Sequence, residues 1–313
     1  MSKRNILFKA LALSYLLMLS QGLLSQQAQV FTMQNFISPG INPSYTGHKD
    51  IYNLVILSRQ QWVGFEGAPK AYFLSSSVPF NNRNSGIGID AVLESAGPVS
   101  QKGVFISYSY TVSISNKSKL SFGLRGGVNS YRIDLQSLLV IDPLDYLFET
   151  NVENRLLPNF GAGIHYEVSG YFLDFSVPTI LRSHFVKTES GSSQELNREE
   201  RNINIATGTT LAISEGITLS PSLSAWFISQ APPVLDIGLK AELKEMIGLG
   251  LIYRSSGLFG GHISYKISNS FVLGYAYELP LAYEYKVSSG THEVVIGYNF
   301  QFLRSKTLSP RRF

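Results

Sequence analysis

The stretch that decides the fold is Glu293-Val294-Val295-Ile296-Gly297-Tyr298-Asn299-Phe300-Gln301-Phe302. Val294, Ile296, Tyr298, Phe300 and Phe302 form one face, and Glu293, Val295, Gly297, Asn299 and Gln301 form the other. A period of two belongs to a strand, whose successive side chains point to opposite sides, and not to a helix. Leu235, Ile237, Leu239, Ala241 and Leu243 alternate in the same way with Asp236, Gly238, Lys240 and Glu242. Phe259, Gly261, Ile263, Tyr265 and Ile267 alternate with Gly260, His262, Ser264 and Lys266. One apolar face and one face of Gly, Ser and charge, repeated over strands of about ten residues, is the signature of a transmembrane β-barrel.

Alternation and turn signals extend this pattern back to residue 51 and give about fourteen candidate strands. Their spans are 51–62, 69–78, 85–94, 102–113, 118–129, 159–168, 170–177, 202–213, 217–228, 233–243, 247–255, 258–267, 270–279 and 291–303. An even number of antiparallel strands suits a bacterial barrel. Val104, Ile106, Tyr108 and Tyr110 read as one lipid face, with Phe105 breaking the pattern. Leu120, Phe122, Leu124 and Val128 read as another, opposite Lys119, Ser121, Gly123 and Arg125; Phe271, Leu273, Tyr275 and Tyr277 form a third. Turning Lys119, Arg125, Lys240 or Lys266 toward lipid would cost about 2–4 kcal/mol each at the bilayer midplane. Unpaired backbone groups in lipid cost several kcal/mol apiece, so the sheet is expected to close. Alternation also fits a soluble sandwich or propeller, but Tyr and Phe near strand ends and the lack of a blade repeat favour the membrane barrel.

Composition agrees. Charged residues make up 15% of the 313 residues, against roughly 25% in a typical soluble domain. The formal charge is +4, and the basic residues are scattered, so no nucleic-acid patch is expected. The absence of cysteine excludes disulfides, thiol catalysis and thiolate metal sites. Lys3 and Arg4, followed by the apolar run 10–19 and small residues up to Ser25, read as a secretory signal peptide over residues 1–25. Residues 26–50 are polar and turn-rich and are expected to form an extended segment that lies outside the wall or plugs it. The barrel is assigned to 51–303, and 304–313 form a basic tail suited to a periplasmic contact. Long loops are expected at 130–158 and 178–202, with short turns at Glu215-Gly216, Ser256-Gly257 and 268–270.

No catalytic motif is present: neither a Gly-x-Ser-x-Gly elbow, nor a His-Glu-x-x-His helix, nor a phosphate-binding loop. His48, His165, His184, His262 and His292 are far apart in sequence and read as loop or lumen residues rather than metal ligands. Asp142, Asp145 and Glu149 lack the glycine turn and ligand spacing of a calcium loop. His262 and Ser264 share an inward face and are the one local hint of a hydrolase. Neither an enzyme activity nor a cofactor is expected.

The specific part is the first third: Asn42-Pro43-Ser44-Tyr45-Thr46-Gly47, then Arg59-Gln60-Gln61-Trp62-Val63-Gly64-Phe65-Glu66-Gly67-Ala68-Pro69. Asn42-Pro43 and Thr46-Gly47 are turn chemistry. Arg59 and Gln61 fall on one face of the first strand and Trp62 on the other, while Gly64, Gly67 and Pro69 shape a tight connection to the next.

This combination resembles the PorP/SprF family of Bacteroidetes, associated with type IX secretion and gliding motility. Asn42, Pro43, Tyr45, Gly47, Arg59, Gln61, Trp62, Gly64, Gly67, Ala68 and Pro69 match that family's pattern. So do Gly86-Ile87-Gly88, Pro158-Asn159-Phe160-Gly161-Ala162-Gly163, Ser176-Val177-Pro178 and Gly290-Thr291-His292-Glu293. Asp174 departs from it, standing where the family commonly has a small residue. The resemblance implies a non-enzymatic barrel of about fourteen strands in the outer membrane. It also implies association with periplasmic type IX machinery subunits and with a large secreted adhesin. The alternative is a passive porin for small solutes.

Overall fold

The computed structural model describes residues 30–48, 51–80, 84–138, 151–153, 156–189, 192–199, 201–229, 231–281 and 288–300. The signal-peptide region, Asp142, Asp145, Glu149 and the basic tail lie outside these residues.

Among the described residues, eighteen strands follow in chain order. The first eight are β1 (Tyr52–Gln60), β2 (Lys70–Pro79), β3 (Ser85–Ala96), β4 (Val99–Ser115), β5 (Ser118–Ile133), β6 (Val152–Glu153), β7 (Leu157–Val168) and β8 (Tyr171–Thr179). Then come β9 (Ser183–Glu189), β10 (Ser192–Glu199), β11 (Asn202–Thr209), β12 (Leu211–Ser214), β13 (Ile217–Ile228) and β14 (Val234–Leu243). The last four are β15 (Ile247–Arg254), β16 (Leu258–Lys266), β17 (Phe271–Pro280) and β18 (Thr291–Phe300). All pairings are antiparallel; β18 returns to β1, and β11 pairs with both β8 and β13, so the sheet closes. With β11 and β12 counted as one interrupted wall strand, and β6, β9 and β10 outside the wall, the barrel has 14 strands. Among the described residues no helix is long and apolar enough to cross a membrane.

The alternation has the expected consequence. Val294, Ile296, Tyr298 and Phe300 are exposed on the outside, and Glu293 and Val295 are buried inside. Ile106, Tyr108 and Tyr110 point out while Phe105, Ser107 and Ser109 point in, so Phe105 is an inward aromatic and not a break in the strand.

Several boundaries differ from the sequence reading. β4 and β5 run past the expected ends at both 99–101 and 130–133, where they pair with each other beyond the apolar band. The charged stretch within 178–202 contains the β9–β10 hairpin, separate from the barrel sheet. Backbone pairing there needs no lipid-facing alternation, so the period-two signal is missing. β1 ends at Gln60 and not at 62; Trp62 has φ +49° and belongs to the following turn, not to a strand face.

One end of the barrel carries short connections, including 116–117, 169–170 and 244–246; the other carries those at 61–69, 134–156, 180–201 and 281–290. The end with long connections faces outside in bacterial outer-membrane barrels. Ser256-Gly257 is a short turn at that outer end.

The segment expected to be extended is folded. Residues 34–36 and 43–45 are 3-10 turns and Ser38–Ile41 is one helical turn. Pro39 and Pro43 preset the first positions of two of these turns. An extended chain inside a barrel would leave its N–H groups unpaired. The turns bond them locally, as in Phe36 N–H to Met33 O at 3.0 Å and Asn42 N–H to Ser38 O at 2.8 Å. The folded segment fills the lumen as a plug. Phe31, Met33 and Ile37 are buried against inward Val55, Leu57, Phe73, Ala276 and Val295, and Val30 against Trp226 and Val234.

Candidate functional site: the plug and its contacts with the wall

Charge fixes the upper part of the plug. Arg59 and Glu293 are direct cross-strand partners on β1 and β18, both facing inward. The Arg59 guanidinium donates to Glu278 through Nη1–Oε1 at 3.0 Å and Nη2–Oε2 at 2.7 Å, and its Nη1 also donates to Glu293 Oε1. Arg254 forms a second fork on Asp236, with Nε–Oδ1 2.8 Å and Nη2–Oδ2 3.1 Å, and reaches Glu278 Oε1 at 3.4 Å. Two guanidinium groups therefore face three carboxylates, all buried. The plug completes the set. Thr32 N–H and Met33 N–H each donate to Glu293 at 2.9 Å, and Thr32 Oγ1 donates to Glu278. Charge-assisted bonds of this kind are about twice as strong as neutral ones.

The lower part is held by close approach. Wall glycines stand where the 42–47 segment touches the barrel. A Cβ at Gly163 would lie 2.0 Å from Asn42 Oδ1, and one at Gly123 would lie 2.1 Å from the Pro43 carbonyl carbon. Gly47 has φ +65° and faces Gly86 across a gap that a Cβ on Gly86 would close to 2.6 Å. Asn42 Oδ1 accepts from Ser44 N–H at 3.1 Å, which caps the turn, while its Nδ2 donates to Ile164 O at 3.2 Å. Arg125 donates to Gly40 O, and its guanidinium lies 3.9 Å over the Phe105 ring.

Asp174 ties three of these parts together. It accepts from Tyr45 Oη at 2.8 Å and from Asn42 Nδ2 at 3.3 Å, and it pairs with His165 Nδ1 at 2.7 Å. Burial, with the Asp174 charge and hydrogen bond, pushes the Tyr45 phenol well above its ordinary range, so it stays protonated and donates. The ring of His165 lies 4.5 Å from Tyr45 and 5.1 Å from His48. Burial and the adjacent His165 hold the His48 imidazole below its usual value.

At the outer end, the 61–69 connection joins three parts of the barrel. Gln61 N–H donates to Pro69 O at 2.9 Å, Val63 N–H to Gly290 O at 2.9 Å, and Gly97 N–H to Gly67 O at 2.8 Å. Trp62 N–H reaches Thr291 Oγ1 at 3.4 Å. Gly64 (φ +103°) and Gly67 (φ +70°) turn the chain here, and Gly64, Phe65, Glu66 and Gly67 are exposed.

The family model for type IX secretion system membrane protein PorP/SprF matches residues 24–298. The chain belongs to the PorP/SprF family. With the closed barrel, this makes it an integral outer-membrane protein of the type IX secretion class. No curated protein matches the chain. Among solved structures it is similar to Acinetobacter baumannii outer membrane protein Omp33, with 8% identity over 81% of this chain and 99% of the other and a TM-score of 0.46. A TodX mutant described as a monoaromatic hydrocarbon channel gives 10% identity, 85% and 94% coverage and a TM-score of 0.47. A Pseudomonas aeruginosa FadL homologue gives 9%, 80% and 89% with 0.44. At such scores these likenesses add nothing to a fold that rests on the closed strand pairing.

The PorP/SprF motif pieces, scattered in sequence, meet in space. Asn42 and Gly47 dock against the motif glycines Gly163 and Gly86, Pro43 docks against Gly123, and Tyr45 bonds Asp174. Arg59 meets Glu293 of the Gly290–Glu293 run, and Val63 meets its Gly290. Asn159 Oδ1 accepts from Phe160, Ile180 and Leu181 N–H, fixing the top of β7 against β8. Sequence reasoning missed Glu278, Arg254 and Asp236, which sit on ordinary alternating strands. One signal pointed to them: carboxylates and arginines on inward faces of neighbouring strands, with no other way to be neutralised.

The remaining candidates stay apart from this network. His262 Nδ1 has no hydrogen-bond partner among the described residues, so the imidazole lacks the orienting acceptor of a Ser–His–Asp arrangement. His292 pairs with Tyr275 Oη at 2.7 Å. Between the plug and the wall, a cavity of about 530 Å³ is lined by Thr32, Gln34 and His48 on one side and by Asn53, Lys240, Glu242 and His262 on the other.

Proposed function

We propose that this PorP/SprF barrel is a non-enzymatic anchor, connecting type IX secretion machinery or a secreted surface adhesin to the outer membrane. The observation that carries the reading is the immobilised plug. The residues that mark the family hold residues 30–48 inside the lumen, with buried charge above and close glycine contacts below. Such a lumen suits a rigid mount more than a solute path. Two surfaces are then left for partners. The exposed tip Gly64–Gly67 at the outer end would meet a secreted protein. The end with short turns, where the plug leaves the barrel at His48, would meet periplasmic subunits. Asn42, Pro43, Tyr45, Gly47 and Arg59 act in this reading as geometry-setting residues, and Gln61, Trp62, Gly64, Gly67 and Pro69 shape the outer surface.

The test is affinity capture of the full-length protein from detergent-solubilised outer membranes, followed by mass spectrometry. A type IX component or a large secreted protein should be enriched, and the secreted one should be lost on replacing Phe65 and Glu66 by Ser. Recovery of neither class overturns the reading.

A further inference from the structure

His48 ends the described part of the plug, and His165 and Glu167 are two residues apart on β7, on one face of the strand. The structure brings together what sequence spacing kept apart. One ligating atom from each of the three lies within 4.8 Å of the others. His48 Nε2 is 3.6 Å from Glu167 Oε2, and His165 Nε2 is 4.0 Å from the same oxygen. In a tetrahedral zinc site with bonds of about 2.0–2.1 Å, ligand atoms are about 3.3 Å apart. The two spacings to Glu167 need closure of about 0.3 and 0.7 Å, and no pair needs more than about 1.5 Å.

A second observation points the same way. His165 Nδ1 lies 2.7 Å from Asp174 Oδ1. A carboxylate on one ring nitrogen fixes the tautomer and turns the other nitrogen's lone pair outward, the arrangement found behind metal-bound histidines. Here that other nitrogen is Nε2, which faces Glu167. Asp174 is itself held by Tyr45 and Asn42, so the ring is oriented from behind. Glu167 is half-exposed at 42%, which leaves it room to adjust and gives an ion a way in.

We propose that His48, His165 and Glu167 form a binding site for a zinc-class divalent cation that staples the plug to the wall at the short-turn end. Two imidazoles and one carboxylate suit Zn²⁺ or Co²⁺ rather than Ca²⁺ or Mg²⁺, which prefer oxygen ligands throughout. Three protein ligands leave one position for water or for a side chain from a partner. Exposed Lys119 is the cross-strand neighbour of Glu167 on β5 and can turn to solvent as the cation binds. The Asp174 that departs from the family pattern thereby acquires a role as the group that orients His165.

The experiment uses the full-length protein in detergent, stripped with a chelator and titrated with Zn²⁺ by calorimetry and with Co²⁺ by visible absorption. One equivalent should bind, with the intense d–d bands of tetrahedral Co²⁺. His48→Gln and Glu167→Gln should each weaken binding at least tenfold, while heat-modifiable gel migration shows the barrel intact. His292→Gln should bind as the parent does. Zn²⁺ should also protect residues 30–48 from protease in the parent and not in His48→Gln. Absence of stoichiometric binding, or binding unchanged in both His48→Gln and Glu167→Gln, overturns the proposal and leaves an ordinary His–Glu contact.

Discussion

Arg59 on β1 and Glu278 on β17 form a two-point ion pair across the intervening strand β18, at 3.0 and 2.7 Å, with both side chains buried. The pair is the hub of the plug's attachment, because Glu278 and Glu293 also receive Thr32 and Met33. Removing one partner of a buried pair leaves an uncompensated charge and costs about 3–5 kcal/mol. Arg59→Ala should therefore lower stability by about that amount in urea unfolding from detergent. It should also expose residues 30–48 to protease before the barrel melts. Arg59→Lys should recover little, since an ammonium cannot make the planar two-point contact. A protected plug in Arg59→Ala would show that the apolar contacts alone hold it.

Gly163 and Gly123 offer a test of the lower attachment that leaves charge untouched. A Cβ at either would meet the plug at 2.0 and 2.1 Å, respectively. Overpacking of this kind costs about 1–3 kcal/mol and here has a specific outlet, since the plug can yield and the sheet cannot. Gly163→Ala and Gly123→Ala should each loosen residues 30–48 in hydrogen exchange while β-sheet circular dichroism stays the same. Gly261→Ala, whose Cβ would find its nearest neighbour at 3.6 Å, should change stability by less than about 0.5 kcal/mol.

The wall was legible because a lipid face on every strand imposes a strict period of two, and the fourteen expected spans each overlap a wall strand. The plug was not, because its turns depend on surroundings that only the closed barrel supplies. A trace of it stands in the stretch from which the fold was read. Val295 lies among the polar residues Glu293, Gly297 and Asn299, and in the structure it is buried against the plug. Val55 and Leu57 on β1 are likewise apolar on the inward face. A water-filled lumen gives no reason for such residues, whereas a lumen filled by Phe31, Met33 and Ile37 does. The meeting of His48 with His165 and Glu167 left no trace in sequence, since it depends on where the plug leaves the barrel.

Asp174 is expected to couple Tyr45 to the wall. Each buried donor left without its acceptor costs about 1–3 kcal/mol. Asp174→Ala would orphan Tyr45 Oη and remove the partner of His165 Nδ1, so it should destabilise more than Tyr45→Phe, which removes one donor. In a double-mutant cycle the two changes should fall short of additivity by about 0.5–3 kcal/mol. Full additivity would mean that the 2.8 Å contact contributes nothing to holding the plug.

Conductance distinguishes the mount from the porin. With Thr32 and Met33 bonded to Glu293 and the 42–47 segment seated on wall glycines, the intact protein should form no stable open channel in planar bilayers. Glu293→Ala removes the acceptor for two plug N–H groups and leaves Arg59 with Glu278 and Arg254 with Asp236, so no buried cation is stranded. The plug then keeps only the Thr32 hydroxyl bond to Glu278 at its upper end, while the two guanidinium groups are matched by two carboxylates. Intermittent openings should therefore appear in Glu293→Ala and increase when Gly123→Ala is added. A large, steady conductance in the unmodified protein would instead favour the solute-channel reading, because ions would then pass with the plug in place.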